Sequence, residues 1–236
     1  MVLLGIFLKI VSIFITYLIY WVSKKSYARW KLVVLSPILL SPVIIILLLV
    51  LSHASYNDYY SGAKWLGYLL GPATVAFALP MHKHFQLLKR HLFEIIASIT
   101  VGSAVAIVSS FLYAVWIHLG TSLTNSLVPR SITTPVAMDI SKTIGGVPTL
   151  TAVFVIITGI TGTIVGPILI RLLKIEKSTA KGLMLGMGAH GAGTSKAFEI
   201  GELEGTFASL AMVTAAVITI ILAFTLFPAL RSELMI

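Results

Sequence analysis

No cysteine occurs among the 236 residues. That excludes a disulfide framework, a thiol nucleophile and a thiolate metal site. Charge is nearly as scarce. Charged residues make up 11% of the chain and only 8 of them are acidic, whereas an ordinary soluble domain carries about 25% charged residues. A chain that is 58% hydrophobic, with a mean hydropathy of +1.01, cannot build a water-facing skin from so few. Seventeen Lys and Arg give a net charge of +9. They sit in short clusters between apolar runs, where cytoplasmic loops carry them, so nucleic acid is not the implied partner. No HExxH, no GxSxG and no cluster with metal-ligand spacing is present, so neither an enzyme nor a bound metal or cofactor is expected. Gly186-x-Gly188-x-x-Gly191 matches the dinucleotide fingerprint in letters only, since no strand precedes it and no βαβ unit surrounds it. Gly188-x-x-x-x-Gly193 lacks the Lys-Ser/Thr that completes a P-loop.

What the chain has in quantity is apolar runs of spanning length, about 20 residues each. Five are clean: Val2–Val22, Leu32–Ser52, Leu92–Leu119, Val147–Leu173 and Leu203–Leu230. The first has no basic segment before it and ends in Ser-Lys-Lys, so it reads as a retained helix rather than a signal peptide. Three further segments are apolar but interrupted. Gly62–Pro80 carries Gly67, Gly71, Pro72 and Pro80; Ser131–Ile144 is too short to cross; Gly182–Gly201 holds six glycines. In hydrocarbon an unpaired backbone group costs several kcal/mol, so broken helices persist only inside protein or along a wet cavity. Broken helices near the midplane are also the best sequence sign of a secondary transporter.

Loop charge sets the orientation. Lys24, Lys25, Arg29 and Lys31 mark one inner loop, Lys83, Lys89 and Arg90 a second, and Arg171, Lys174, Lys177 and Lys181 a third. The loops His53–Ser61 and Thr121–Arg130 are then outer. The assignments alternate if Gly62–Pro80 crosses and Ser131–Ile144 dips in from outside, which places the amino terminus outside. The side of the carboxyl end depends on whether Gly182–Gly201 crosses or re-enters. A weak repeat pairs Thr74-x-x-x-Ala78-x-x-x-x-Lys83 with Thr133-x-x-x-Ala137-x-x-x-x-Lys142, a shift of 133 − 74 = 59. The expected fold is an all-α polytopic membrane protein, one transmembrane domain over 1–236. It combines spanning helices with discontinuous or re-entrant ones, and inverted repeats are one arrangement that fits.

The densest polar group lies between Gly188 and Glu199 and contains His190, Gly193, Thr194, Ser195 and Lys196, with Glu202 and Glu204 following. Ionisable groups at membrane depth cost at least about 2.5–3.5 kcal/mol each and are functional by default. A helix starting after these glycines offers backbone donors to an anion, and Lys196 adds a positive charge. The plainer alternative is a cytoplasmic loop after Lys181. Arg130-Ser-Ile-Thr-Thr-Pro135 is a second candidate, with Thr133 and Thr134 as hydroxyl donors and Arg130 as a carboxylate clamp. Its plainer reading is an N-cap, with Arg130 at the headgroups. Gly71-Pro72-Ala73-Thr74 is the matching element of the first half. Asp139 and Lys142 neutralise each other on one helix face, and His118 reads as structural.

Leu70–Ala76, Arg130–Met138, Gly145–Phe154 and the block from Gly193 to Met212 resemble the LrgB/CidB family of bacterial membrane proteins, which includes a plastid glycolate/glycerate translocator. The resemblance runs from about residue 5 to residue 230. Where relatives usually read Ser-His-Ala-Ile-Gly-Thr, this chain has Ala189-His190-Gly191-Ala192-Gly193-Thr194, which removes a hydroxyl. The resemblance implies residence in the bacterial cytoplasmic membrane and two functional descriptions. One is a holin/antiholin-like pore or regulator of murein hydrolase activity and lysis, acting with a small LrgA/CidA-type partner. The other is transport of small monocarboxylates such as pyruvate, glycolate or glycerate. Three broken helices with convergent polar groups favour transport. The expected substrate-binding residues are Thr74, Arg130, Thr133, Thr134, His190, Gly193, Thr194 and Lys196. Coupling is either to protons, through His190, Glu199 or Glu202, or absent, and a homo-oligomer is expected.

Overall fold

The computed structural model describes residues 2–30 and 33–233, with the side chains of all of these except 2–8, 33, 70, 74 and 233. Every regular element among them is helical. The chain forms two compact units, 1–78 and 79–236.

In the first unit α1 (Val2–Trp30) is one continuous helix that runs past the expected end at Val22. Ser23, fully buried, is accommodated there because its hydroxyl donates to the Ile19 carbonyl at 2.8 Å. A single 3-10 turn, Val33–Leu35, leads to α2 (Pro37–Leu51). At 15 residues, α2 is about 22 Å long, short of the roughly 30 Å hydrocarbon core. The expected span from Leu32 to Ser52 therefore starts later, at the proline that pre-sets helical φ; Leu32 itself lies outside the described residues. The expected outer loop His53–Ser61 is also largely helical. α3 (Tyr56–Tyr68) begins there because the Ser55 hydroxyl accepts from the Asn57 N–H at 3.2 Å. It packs on α1 through a Thr16–Tyr59 hydroxyl contact of 2.8 Å and through Gly62, which lies against the Lys9 backbone. α4 (Leu70–Ala76) ends the unit.

The second unit opens with two short helices, α5 (Ala78–Lys83) and α6 (Phe85–Arg90). The segment expected to be interrupted, Gly62–Pro80, is thus cut into pieces. Then come α7 (Leu92–Trp116), α8 (Thr121–Leu127), α9 (Thr134–Thr143), α10 (Pro148–Leu172), α11 (Ser178–Ile200) and α12 (Glu202–Glu233). Among the described residues three helices are long and apolar enough to cross a membrane: Leu92–Trp116, Pro148–Leu172 and Glu202–Ser232. These match three of the expected spans to within a few residues. Each turns one apolar face outward, with Phe93 85% and Trp116 75% exposed on α7. Apolar surface so continuous needs lipid, not water, as its solvent.

α12 runs in the same direction as α7. His91 meets Phe207 at 6.4 Å and Phe111 meets Phe227 at 5.6 Å between ring centroids. Both pairs are offset by 116 residues (207 − 91 and 227 − 111). α7 starts beside Lys89–Arg90, so α12 starts at that same face and its far end, near Arg231, lies at the opposite one.

That direction requires α11 to fold back rather than cross, and its backbone shows that it does. At Ala189 (φ −135°, ψ 15°) and His190 (φ 41°, ψ −126°) the helix breaks. In a straight helix residues 185 and 193 stand about 12 Å apart; here Gly193 lies directly against the Leu185 carbonyl. Residues 178–188 form one arm, α11a, which runs parallel to α12, with Gly182 on Phe207 and Gly186 on Ala208. Residues 191–200 form the returning arm, α11b, which is antiparallel to it. There Thr194 lies 3.8 Å from Met212 Sδ, and Gly205 lies under the Phe198 ring. Only glycine permits these approaches, since a Cβ at 182, 186 or 193 would overlap backbone atoms.

α8 and α9 form a second hairpin, entering from the face opposite to that of α11. At its base the Asn125 side-chain amide donates to the Ile144 carbonyl at 2.6 Å and the Val147 N–H donates to Ser126 Oγ at 2.7 Å. α9 ends where Gly145 takes φ +83° and the Gly146 N–H reaches back to the Ser141 carbonyl at 2.7 Å, a left-handed C-cap that favours glycine. Span plus hairpin therefore occurs twice with opposite direction: α7 with α8–α9, then α10 with α11. Both spans have 25 residues and their starts are 148 − 92 = 56 residues apart. This opposed pairing differs from the Thr74/Thr133 pairing expected from sequence. Thr133 is the N-cap of α9, whereas Thr74 lies within α4, so those positions are not structural equivalents.

Candidate functional site

The two hairpin tips meet the same part of α10. Antiparallel packing sets the outer one. Thr151 Oγ1 donates to Ser141 Oγ at 2.6 Å, and continuing that register places Thr134, the first residue of α9, level with Thr158. At the outer tip Arg130 donates from Nε to Ser110 Oγ at 3.0 Å and from Nη1 to Thr158 Oγ1 at 3.3 Å. The inner tip touches the adjacent positions. His190 Nε2 lies 3.1 Å from the Val155 carbonyl, and the ring packs over Gly159. Thr158 is ten residues from the outer end of α10 and fourteen from the inner end, about 15 and 21 Å. The tips thus face each other near mid-membrane.

Each tip ends in the start of a helix arm, so two positive dipole ends and their unclaimed backbone N–H groups converge here. Thr133 is the N-cap of α9 yet its hydroxyl makes no capping bond. A guanidinium has five N–H donors, and Arg130 spends two on hydroxyls. Among the described residues no carboxylate pairs with it. The guanidinium remains charged. A carbonyl only accepts, so His190 Nε2 carries the proton in that bond, and Nδ1 of the neutral ring is left as an acceptor. The tip also has room. A Cβ at Gly188 would meet nothing within 4 Å, and one at Gly191 only Met212 Sδ at 3.9 Å. The arrangement brings positive potential, a fork donor and hydroxyls to one level of α10 at membrane depth, which is chemistry for a small oxyanion.

Of the expected site residues, Arg130, Thr133, Thr134 and His190 come together. Gly193 and Thr194 are engaged within the hairpin itself. Gly193 closes the two arms on each other, and the fully buried Thr194 hydroxyl donates to the His190 carbonyl at 2.8 Å, so both build the hairpin. Lys196 is turned to Glu199 at 2.6 Å on the returning arm. Glu202 sits at the base of the hairpin, 2.6 Å from Lys83 and 3.3 Å from His84, twelve residues from His190. Glu199 and Glu202 thus lie nine and twelve residues along the chain from His190, away from the tip. Thr74 belongs to the other unit and its side chain lies outside the described residues. Two partners were missed by the sequence reading, Ser110 and Thr158. Their only signal was a hydroxyl in the middle of an apolar span. Among the described residues no group of His, Asp and Glu could hold a metal.

The chain matches the LrgB-like family over residues 16–229. The chain belongs to the LrgB family. This LrgB-family chain is 50% identical to YwbG of Bacillus subtilis (strain 168), a protein described as uncharacterized, over 91% of its own length and 95% of the relative's. It is 38% identical to YxaC of the same organism, likewise described, over 89% and 92%. It is 33% identical to the antiholin-like protein LrgB of Bacillus cereus (strain B4264), over 79% and 81%. No solved structure matches it.

Proposed function

We propose that this LrgB-family protein is a permease of the bacterial cell membrane for small hydroxy- or keto-monocarboxylates, of the size of pyruvate, glycolate or glycerate. The convergence of Arg130 and two helix N-termini at one level of α10 carries the reading. The carboxylate lies between the Arg130 fork and the backbone donors at Thr134 and Gly191. The second oxygen takes a hydrogen bond from Thr133 or gives one to His190 Nδ1. Residues that touch the substrate supply no nucleophile and base in pairing distance, which supports a non-enzymatic role. Hairpins entering from opposite sides suit alternating access, because each separates the site from one face.

A second reading has support in the names of the B. cereus relatives: an antiholin-like component acting with a small LrgA/CidA-type membrane protein to restrain murein hydrolase activity, with or without self-assembly. The two are compatible if organic-acid balance governs lysis. They separate on binding. Glycolate or pyruvate raises the unfolding temperature of the purified protein under the transport reading, because a ligand specific to the folded state stabilises it. Glycerol, of similar size and uncharged, does not, and Arg130→Ala abolishes the shift. An equal response to all three compounds, or none, leaves only the regulatory reading.

A further inference from the structure

The inner face of the second unit contains a cleft of about 400 Å³ between α7 and α11a. Its mouth is set by His91, Glu94 and Lys177, its walls by Ser98 and Leu183, and its deep end by Met187. His91 Nδ1 and Glu94 Oε2 are 2.8 Å apart, so the acidic group at the mouth has a partner. Among the described residues no carboxylate pairs with Lys177, which places a free ammonium at the mouth. From Lys177 to Met187 the arm descends about 15 Å, to within one turn of the break at His190. There the cleft stops. The Met187 thioether lies on Gly102 of α7, where any Cβ would collide with its sulfur. Beyond that contact lies the hairpin tip, so one flexible side chain stands between the cleft and the break at His190.

We propose that this cleft is the inner access route to the site at the hairpin tips, and that Met187 seated on Gly102 is its gate. The assignment rests on the transport reading for its purpose but not for its test. Methionine suits the role because three rotatable bonds let the thioether swing clear without moving the backbone. Glycine at 102 supplies the only seat flat enough for the closed position. Lys177 gathers anions at the mouth, and the passage beyond it is apolar. A small monoanion can shed water and cross such a stretch when the far end offers Arg130 and two helix N-termini. The inner hairpin need not unfold for the substrate to pass, since the barrier is one side chain.

The absence of cysteine makes single-cysteine variants of the full chain clean probes. Ser98→Cys reports the cleft and Gly191→Cys the far side of the gate. Modification by a membrane-impermeant anionic methanethiosulfonate is followed in inside-out and right-side-out vesicles. Ser98→Cys should react fast, and only from the inner face, whatever stands at 187. Gly191→Cys should react slowly from that face, then about tenfold faster in the Met187→Ala background, as when an open fraction rises from about 1% to about 10%. Met187→Leu, which keeps the volume, should leave it slow, and an unchanged Ser98→Cys rate shows that each background is folded. A Gly191→Cys rate indifferent to Met187→Ala, or Ser98→Cys reached only from outside, overturns the assignment. No substrate takes part in the labelling. Failure of carboxylate uptake would therefore strike the transport reading alone, and failure of labelling would strike the gate alone.

Discussion

Arg130 and His190 do different work at the same level of the membrane. Arg130 gives a fixed positive charge with a planar fork, held by two hydroxyls that leave most of its donors aimed elsewhere. Arg130→Ala should weaken carboxylate binding about 10- to 100-fold, the equivalent of about 1.5–3 kcal/mol for hydrogen bonds to a charged group. Arg130→Lys should recover only part of it, because the ammonium keeps the charge and loses the fork; titration of the purified variants measures both. His190 also has a backbone role, since its φ of 41° is one that L side chains rarely adopt. In an ordinary helix Ala is more stable than Gly by about 1 kcal/mol. At 190 the order should reverse, with His190→Gly more stable than His190→Ala by about 1 kcal/mol in thermal unfolding in detergent. An Ala variant as stable as the Gly variant would show that the break is not locked at this residue.

At the scale of elements, sequence reading and structure agree where the physics is one-dimensional. Three long apolar runs became α7, α10 and α12 because length and hydropathy alone decide a spanning helix. Glycine density flagged α11 and shortness flagged α9, but neither pattern carries direction. The fold-back at His190 depends on Gly182, Gly186 and Gly193 finding backbone to lie against, which is a tertiary fact. For the same reason the sequence brought forward Gly193 and Thr194 as binding residues when they are the packing that makes the tip, and it passed over Ser110 and Thr158. Two outcomes follow from the hairpin. Cysteines introduced at Lys177 and Glu199 should label from the same, inner face, and one at Arg231 from the outer face; opposite faces for 177 and 199 would mean that α11 crosses. Gly159→Val should also be costly. A Cβ there would already stand 2.8 Å from the His190 ring and 3.2 Å from Ala192 Cβ, and overpacking of this kind costs about 1–3 kcal/mol. Gly67→Ala, with nothing within 4 Å of the new carbon, is the control and should be neutral or mildly stabilising in the same unfolding assay.

At the scale of the molecule, the second unit joins a lipid-facing exterior to two hairpin tips that bring Arg130 and His190 to one level of α10. The inverted pairing of α7 with α8–α9 and α10 with α11 gives each face of the membrane one hairpin, and the common end of both is α10 near Val155, Thr158 and Gly159. A passive lesion needs no such convergence, whereas a carrier needs a single site that either hairpin can uncover. The most direct measurement is uptake of labelled pyruvate, glycolate and glycerate into proteoliposomes, with an Arg130→Ala/Thr133→Ala double variant beside the unaltered protein. Saturable uptake of at least one of these, competed by the others and lost in the variant, is the result predicted here. A leak that does not saturate, passes unrelated neutral solutes and persists unchanged in the variant would contradict it.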